Sequence, residues 1–215
     1  MIGVFGGTFN PVHWGHIRTA LELKNALAMD QMLMVPCGIP PHRDEPDTSP
    51  EIRLAMLNAV IADYDQLQAD DRELRREGPS YTIDTLQSLR EEKGEIPIGL
   101  CVGVDAFIAL DTWHQWQHLI DLAHIIVAHR PGWPVESLEH RVSAELKTMI
   151  HEHQVIDGGR LHEQPAGYVL MQKVTDIDIS SSHIRDCIAH GKSITDMVPA
   201  AVLKIIESNR LYQNT

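Results

Sequence analysis

Positive charge is scarce in this chain: 18 Lys and Arg stand against 30 Asp and Glu, a formal net charge of −12. That imbalance argues against a protein that tracks a phosphate backbone, so no nucleic-acid partner is expected. Aromatic residues are few as well, at 5% of the chain, which leaves little for base-stacking surfaces. The three cysteines, Cys37, Cys101 and Cys187, lie far apart with no CxxC pair, so neither a disulfide framework nor a zinc site is expected. No apolar run reaches membrane-spanning length, and no charged leader followed by an apolar stretch opens the chain. The expectation is a cytoplasmic protein without a membrane partner. A small anionic ligand stays compatible with all of this, because local dipoles and a few cations can outweigh the global field.

What is present suits a packed domain: 215 residues, 43% of them apolar. Met1–Phe5 reads as a buried strand, 17–28 as a helix and Gln31–Pro36 as a second strand, a βαβ opening that predicts a parallel pair. A long Pro-rich loop follows over 36–50 and carries His42 and Arg43; it reads equally as a solvated connection or as a basic finger over a polyphosphate. Helices are expected over 51–62, opened by Ser49-Pro50, and over 81–93, closed by Gly94. Strands are expected within 66–76 and over 98–104, 125–128 and 168–174. Two helices, 182–189 and 199–208, close the chain. The alternation implies one α/β domain over 1–215, a doubly wound, mostly parallel sheet, with a C-terminal helical portion from about 178 to 215.

Two stretches carry chemistry. GGTFNPVHWGH lies between the first strand and the first helix, where open backbone N–H groups and a positive helix end favour an anion. Gly6 and Gly7 allow close approach, Thr8 adds a hydroxyl, and His13 and His16, three apart, can share a face with Gly15 leaving room beside them. The pattern is neither G-x-G-x-x-G nor a Walker A loop, and two histidines without a third ligand make no zinc site, so no metal held by protein ligands is expected. The second stretch, ISSSHIR at 179–185, reads by itself as a capped helix start with Arg185 one turn inside. Its hydroxyls, open amides and guanidinium would also suit the outer phosphates of a nucleotide.

Together these stretches resemble the (H/T)xGH and ISSTxxR signatures of the nucleotidyltransferase superfamily. PPHR at 40–43, GPSYTIDTL at 78–86, GVDAF at 103–107, WHQW at 113–116, HRPGW at 129–133 and the closing VPAAVLKIIESNRLY extend the resemblance over nearly the full length, to the bacterial nicotinate-nucleotide adenylyltransferases. The resemblance implies a Rossmann-like nucleotidyltransferase fold and adenylyl transfer from ATP to nicotinate mononucleotide, with Mg²⁺ accompanying ATP. It further implies that Gly6, Gly7, Thr8, Phe9, His13, His16, His42, Ser181, Ser182 and Arg185 bind ATP, with His16, His13 and Arg185 acting in catalysis. Tyr81, Thr82, Thr85, Asp105, Trp113, Trp116 and Arg130 would surround the mononucleotide. Rival readings are an adenylyltransferase for nicotinamide mononucleotide or phosphopantetheine, and a non-catalytic nucleotide sensor. Two positions depart from the pattern: Asn10 stands where Asp is usual, and His183 interrupts the ISST-type motif, where it could meet phosphate or face solvent.

Overall fold

The computed structural model describes residues 1–40, 46, 48–130, 138 and 140–213. The apolar runs become β1 (Ile2–Gly7), β2 (Gln31–Pro36), β4 (Ile98–Gly103), β5 (His124–His129) and β7 (Val169–Lys173), with short strands β3 (Leu67–Ala69) and β6 (Gln154–Val155) at the two edges. They form one seven-stranded sheet in the order β3-β2-β1-β4-β5-β7-β6, and every pairing is parallel. Strands buried on both faces need apolar side chains on both, which is why these segments read as continuous runs rather than alternating ones.

Successive side chains of each central strand divide between two cores. Met32 and Met34 of β2 and Ile126 of β5 enter the core formed with α1 (Trp14–Ala26), α2 (Pro50–Ile61), α7 (Ser181–Ala189) and α8 (Ala200–Ser208). Leu33, Val35, Ile125 and Val127 enter the opposite core, with α3 (Thr82–Lys93), α4 (Val104–Ile108), α5 (Leu119–Leu122) and α6 (Ala144–His153). The two C-terminal helices thus belong to the sheet's packing: Ile184, Cys187, Val202 and Ile206 are all buried in the first core. None of the described helices is long and apolar enough to cross a membrane.

The differences from the sequence expectation are local. The first helix starts at Trp14 rather than at residue 17, because the His13 backbone N–H is held by the His16 side chain and the first turn closes early. The expected strand within 66–76 shrinks to three residues, since Asp70 and Arg72 pair (2.7 Å) and turn the chain away. β6 has only two residues, too few to carry a periodicity.

His124, at the start of β5, is fully buried. Its Nδ1 accepts the Tyr168 backbone N–H (3.1 Å), its Nε2 donates to the Gln164 carbonyl (3.0 Å), and its ring stacks on Tyr168 with centroids 5.4 Å apart. Burial holds its pKa below the ordinary imidazole value of about 6.5. Below that value the unfolded chain binds a proton that the folded chain refuses, so stability falls as pH drops towards the lower folded pKa. The thermal midpoint should therefore fall between pH 7 and pH 5, and fall less in His124→Gln, whose amide can serve both partners without titrating. Parallel pH curves for the two proteins would remove His124 from the explanation.

Candidate active site

The sheet order reverses between β1 and β4: the chain runs outward from β1 through β2 to β3, then returns past β1 to β4. In an open parallel sheet this is where the loops at the carboxyl ends of the strands diverge and leave a crevice. Here the crevice is a cavity of about 1260 Å³. Gly6 and Gly7 end β1 at its rim, Gly103 ends β4, and the turn Thr8–His13 forms one wall.

His13 and His16 lie within that wall with ring centroids 3.7 Å apart. The His16 Nδ1 accepts the His13 backbone N–H at 3.3 Å, which leaves the neutral ring's proton on Nε2. Burial pushes the pKa of His16 well down and the neighbouring His13 lowers it further, while burial pushes His13 down to about 4. Both imidazoles are therefore neutral near pH 7, and His16 offers a hydrogen-bond donor rather than a charge. The Nδ1 of His13 is buried and without a hydrogen-bond partner among the described residues. Gly15 allows this packing, since a Cβ there would lie 2.9 Å from the His13 ring. Phe9 closes the other side, with its ring buried and meeting His16 edge-on at 5.0 Å.

The second motif arrives from the far end of the chain. Ser180 caps α7 by accepting the His183 backbone N–H (3.2 Å), which leaves Ser181, Ser182 and Arg185 at the cavity. The Ser181 hydroxyl donates to the Pro11 carbonyl (2.9 Å) and Arg185 Nη1 donates to the Asn10 carbonyl (2.7 Å). The two motifs, separated by some 170 positions, are thus bonded to each other directly. Asn10 also has an account: its side chain is buried, and Oδ1 accepts the Tyr212 hydroxyl at 2.6 Å, a bond that needs an acceptor but no charge. His183 is exposed, its Nε2 3.6 Å from the Cys187 Sγ, and it is not among the residues lining the cavity.

Across the cavity stand Tyr81, Thr82, Thr85, Asp105, Trp113 and Arg130. Tyr81 packs on His114 with centroids 4.4 Å apart, and Arg130 reaches Asp176 at 3.1 Å. Trp116 departs from the expectation: it is buried in the second core and is not among the residues lining the cavity, whereas Trp113 packs on the same core only in part and does line it. His42 and Arg43 lie outside the described residues.

Two buried residues, one behind the cavity wall and one lining it, escaped the sequence reading. Among the described residues Arg53, fully buried, donates only to backbone carbonyls: Thr8 (2.8 Å), Cys37 (2.6 Å), Gly38 (3.1 Å) and Thr48 (3.2 Å). It falls on the buried stripe of α2 with Met56, Leu57 and Val60, and a charge on an apolar stripe is the signal that could have found it. Glu73, also buried, lines the cavity and accepts the Thr85 hydroxyl at 2.7 Å. Burial raises its pKa against the opposing pull of the Thr85 and Ser80 hydroxyls and Arg76.

A Cytidylyltransferase-like family model matches residues 4–187. A probable nicotinate-nucleotide adenylyltransferase from Methylococcus capsulatus is 45% identical over 213 residues, covering 99% of each chain. A second, from Acidithiobacillus ferrooxidans, is 40% identical over 98% of this chain and 95% of its own. Among solved structures, Plasmodium falciparum nicotinic acid mononucleotide adenylyltransferase complexed with NaAD superposes with a TM-score of 0.74 at 16% identity, over 98% of this chain and 96% of that one, a likeness of fold. Full-length identity at this level, with both signature stretches closing on one cavity, makes this chain a member of the nicotinate-nucleotide adenylyltransferase family.

Proposed function

We propose that the chain transfers the adenylyl group of ATP to nicotinate mononucleotide, giving nicotinate adenine dinucleotide and pyrophosphate. The observation that carries this reading is the closure of the β1 turn and the α7 N-terminus onto one cavity, joined through Arg185 to the Asn10 carbonyl and Ser181 to the Pro11 carbonyl. A phosphate oxygen of the mononucleotide attacks the α-phosphorus; the new P–O bond forms as the bond to the β-phosphate oxygen breaks, and pyrophosphate carries away the electron pair. No nucleophile from the chain is required, so the residues act by holding both partners in line and stabilising charge on phosphoryl oxygens.

The β1 turn and the Nε2–H of His16 serve the α-phosphate. The open amides of α7, the Ser182 hydroxyl and the remaining N–H groups of Arg185 serve the leaving pyrophosphate, while the Ser181 hydroxyl, its proton held by the Pro11 carbonyl, ties the two motifs together. Tyr81, Thr82, Thr85, Asp105, Trp113 and Arg130 form the mononucleotide side, where the indole and phenol faces suit a flat pyridine ring. Thr8, Ser181 and Ser182 present hard oxygen donors at the phosphate end, a chemistry that fits Mg²⁺ carried mainly by the nucleotide's own oxygens. The ion supplies charge neutralisation there.

The test is one assay with ATP and Mg²⁺ in which nicotinate mononucleotide, nicotinamide mononucleotide and phosphopantetheine are offered in parallel. Pyrophosphate release is expected with the first, far above the other two. Release with phosphopantetheine alone would move the chain to another substrate class, and none with any acceptor would favour a nucleotide sensor.

A further inference from the structure

The two halves of the cavity are joined by a run of buried hydrogen bonds and one close backbone contact, and Ser80 and Glu73 of that run themselves line the cavity. It starts at the Thr8 carbonyl in the β1 turn, held by Arg53 Nη1 at 2.8 Å. The same guanidinium donates through Nη2 to the Gly38 carbonyl at 3.1 Å. Gly38 passes the connection on through its other backbone group, since its N–H donates to the Ser80 Oγ at 2.9 Å. The Glu73 backbone carbonyl packs against Gly38, and its carboxylate accepts the Thr85 Oγ1 at 2.7 Å. Thr85 sits on α3, one turn beyond Tyr81 and Thr82 at the opposite wall.

Every side chain of this run is nearly shut off from solvent: Arg53 is 0%, Ser80 7%, Glu73 8% and Thr85 2% exposed. The backbone is built around it. Ile39 and Pro79 form an isolated parallel bridge, the Ser80 N–H donates to the Ile39 carbonyl at 2.9 Å, and a Cβ on Gly38 would lie 2.7 Å from the Glu73 carbonyl oxygen. Only glycine lets the end of β2 lie this close to the segment leading into α3. A run of buried, mutually polarising hydrogen bonds can be met in full or broken, but it adjusts poorly by degrees. Displacing the Thr8 turn therefore shifts Gly38, and with it Ser80 at the entry to α3 and the Glu73 carbonyl packed on Gly38, and the reverse.

We propose that Arg53, Ser80 and Glu73 are positioning residues that couple the two substrate half-sites, so that ordering of the β1 turn by ATP improves the mononucleotide wall, and ordering of that wall improves the turn. This rests on the adenylyltransferase reading above. Coupling of this kind is reciprocal: each ligand tightens the other by the same factor.

The experiment is equilibrium binding of α,β-methylene-ATP and of nicotinate mononucleotide, each alone and with the other saturating. The methylene bridge replaces the bond that breaks, so no reaction intervenes. In the unaltered protein each ligand should tighten the other about tenfold, within the range usual for linked sites. In Ser80→Ala, which removes one hydroxyl, and in Glu73→Gln, which keeps the side chain's size, that factor should drop to within about twofold of none. Because both lie on one run, the double variant should lose no more than either single one. Coupling that survives in both variants would mean the ligands influence each other by direct contact, and would overturn the proposal. Variants in which both single-ligand affinities fall with the thermal midpoint while the coupling factor holds would overturn it too, leaving the run a structural one. If neither ligand binds alone, the adenylyltransferase reading itself fails, a result distinct from binding without coupling.

Discussion

Replacing His16 by alanine should lower kcat by about 100- to 1000-fold, the loss usual when one fixed donor to a developing oxyanion is removed. The ring is narrowly constrained. Its Nδ1 is committed to the His13 backbone N–H, Phe9 meets it edge-on and His13 packs on its face. One polar atom is left, Nε2, and in the neutral ring that atom carries the proton. Burial and the adjacent imidazole keep the ring uncharged near neutral pH, so it cannot act as a cation attracting any phosphate. It acts by geometry, as a donor whose bond strengthens when negative charge builds on the α-phosphoryl oxygens in the transition state. Affinity for nicotinate mononucleotide, on the other wall, should stay within about twofold. His16→Gln keeps an N–H donor on a similar reach and should recover part of the rate. A steady-state comparison of the three proteins decides the matter: an unaltered kcat in the alanine variant would remove His16 from the chemistry.

How far the sequence led can be judged from what the missed residues have in common. GGTFNPVHWGH and ISSSHIR were legible because helix ends, glycines and imidazoles in fixed order imply their own surroundings, and the fold brings both to one cavity. The central strands were legible because burial on both faces leaves an unbroken apolar run. Arg53 and Glu73 do not stand out in the sequence, and Tyr212 shows only as the end of a closing tail, because their partners carry no sequence signature. Arg53 binds backbone carbonyls, which every residue possesses, and Tyr212 meets Asn10 across 202 positions. Trp116 misled for a related reason. WHQW shows two indoles side by side, but the direction of each depends on short helical turns that have no periodicity to read. Asn10 looked like a lost carboxylate; in the fold it is an acceptor for a phenol, with its carbonyl turned to Arg185.

Arg53→Met should lower stability by about 3 kcal/mol, the largest effect on folding expected from any single polar side chain of the site. The methionine fills most of the volume of the arginine stem, so packing in the first core is nearly kept. What disappears is the fork. Four carbonyls, at Thr8, Cys37, Gly38 and Thr48, lose the Arg53 donor at once, and they lie on three separate segments, of which the first two are also joined by the Cys37 N–H to the Gly7 carbonyl (2.9 Å). A buried acceptor left unmet costs about 1–3 kcal/mol, so the gross loss is larger than the figure given. Against it stands the relief of no longer burying a guanidinium whose hydrogen bonds among the described residues all go to carbonyl dipoles, an offset that burial's downward pull on its pKa makes visible. At about 2–4 °C per kcal/mol for a chain of this length, the thermal midpoint should fall by roughly 6–12 °C. Arg53→Lys should fall between, because a single ammonium can reach some of the carbonyls but cannot span them as a planar fork does. The same change withdraws a positive charge from directly behind the Thr8 carbonyl, so affinity for α,β-methylene-ATP should drop more than affinity for nicotinate mononucleotide. Urea unfolding and the two binding titrations check this together. A methionine variant within about 1 kcal/mol of the parent would mean that water satisfies the four carbonyls, and the fork would then not be what holds the turn.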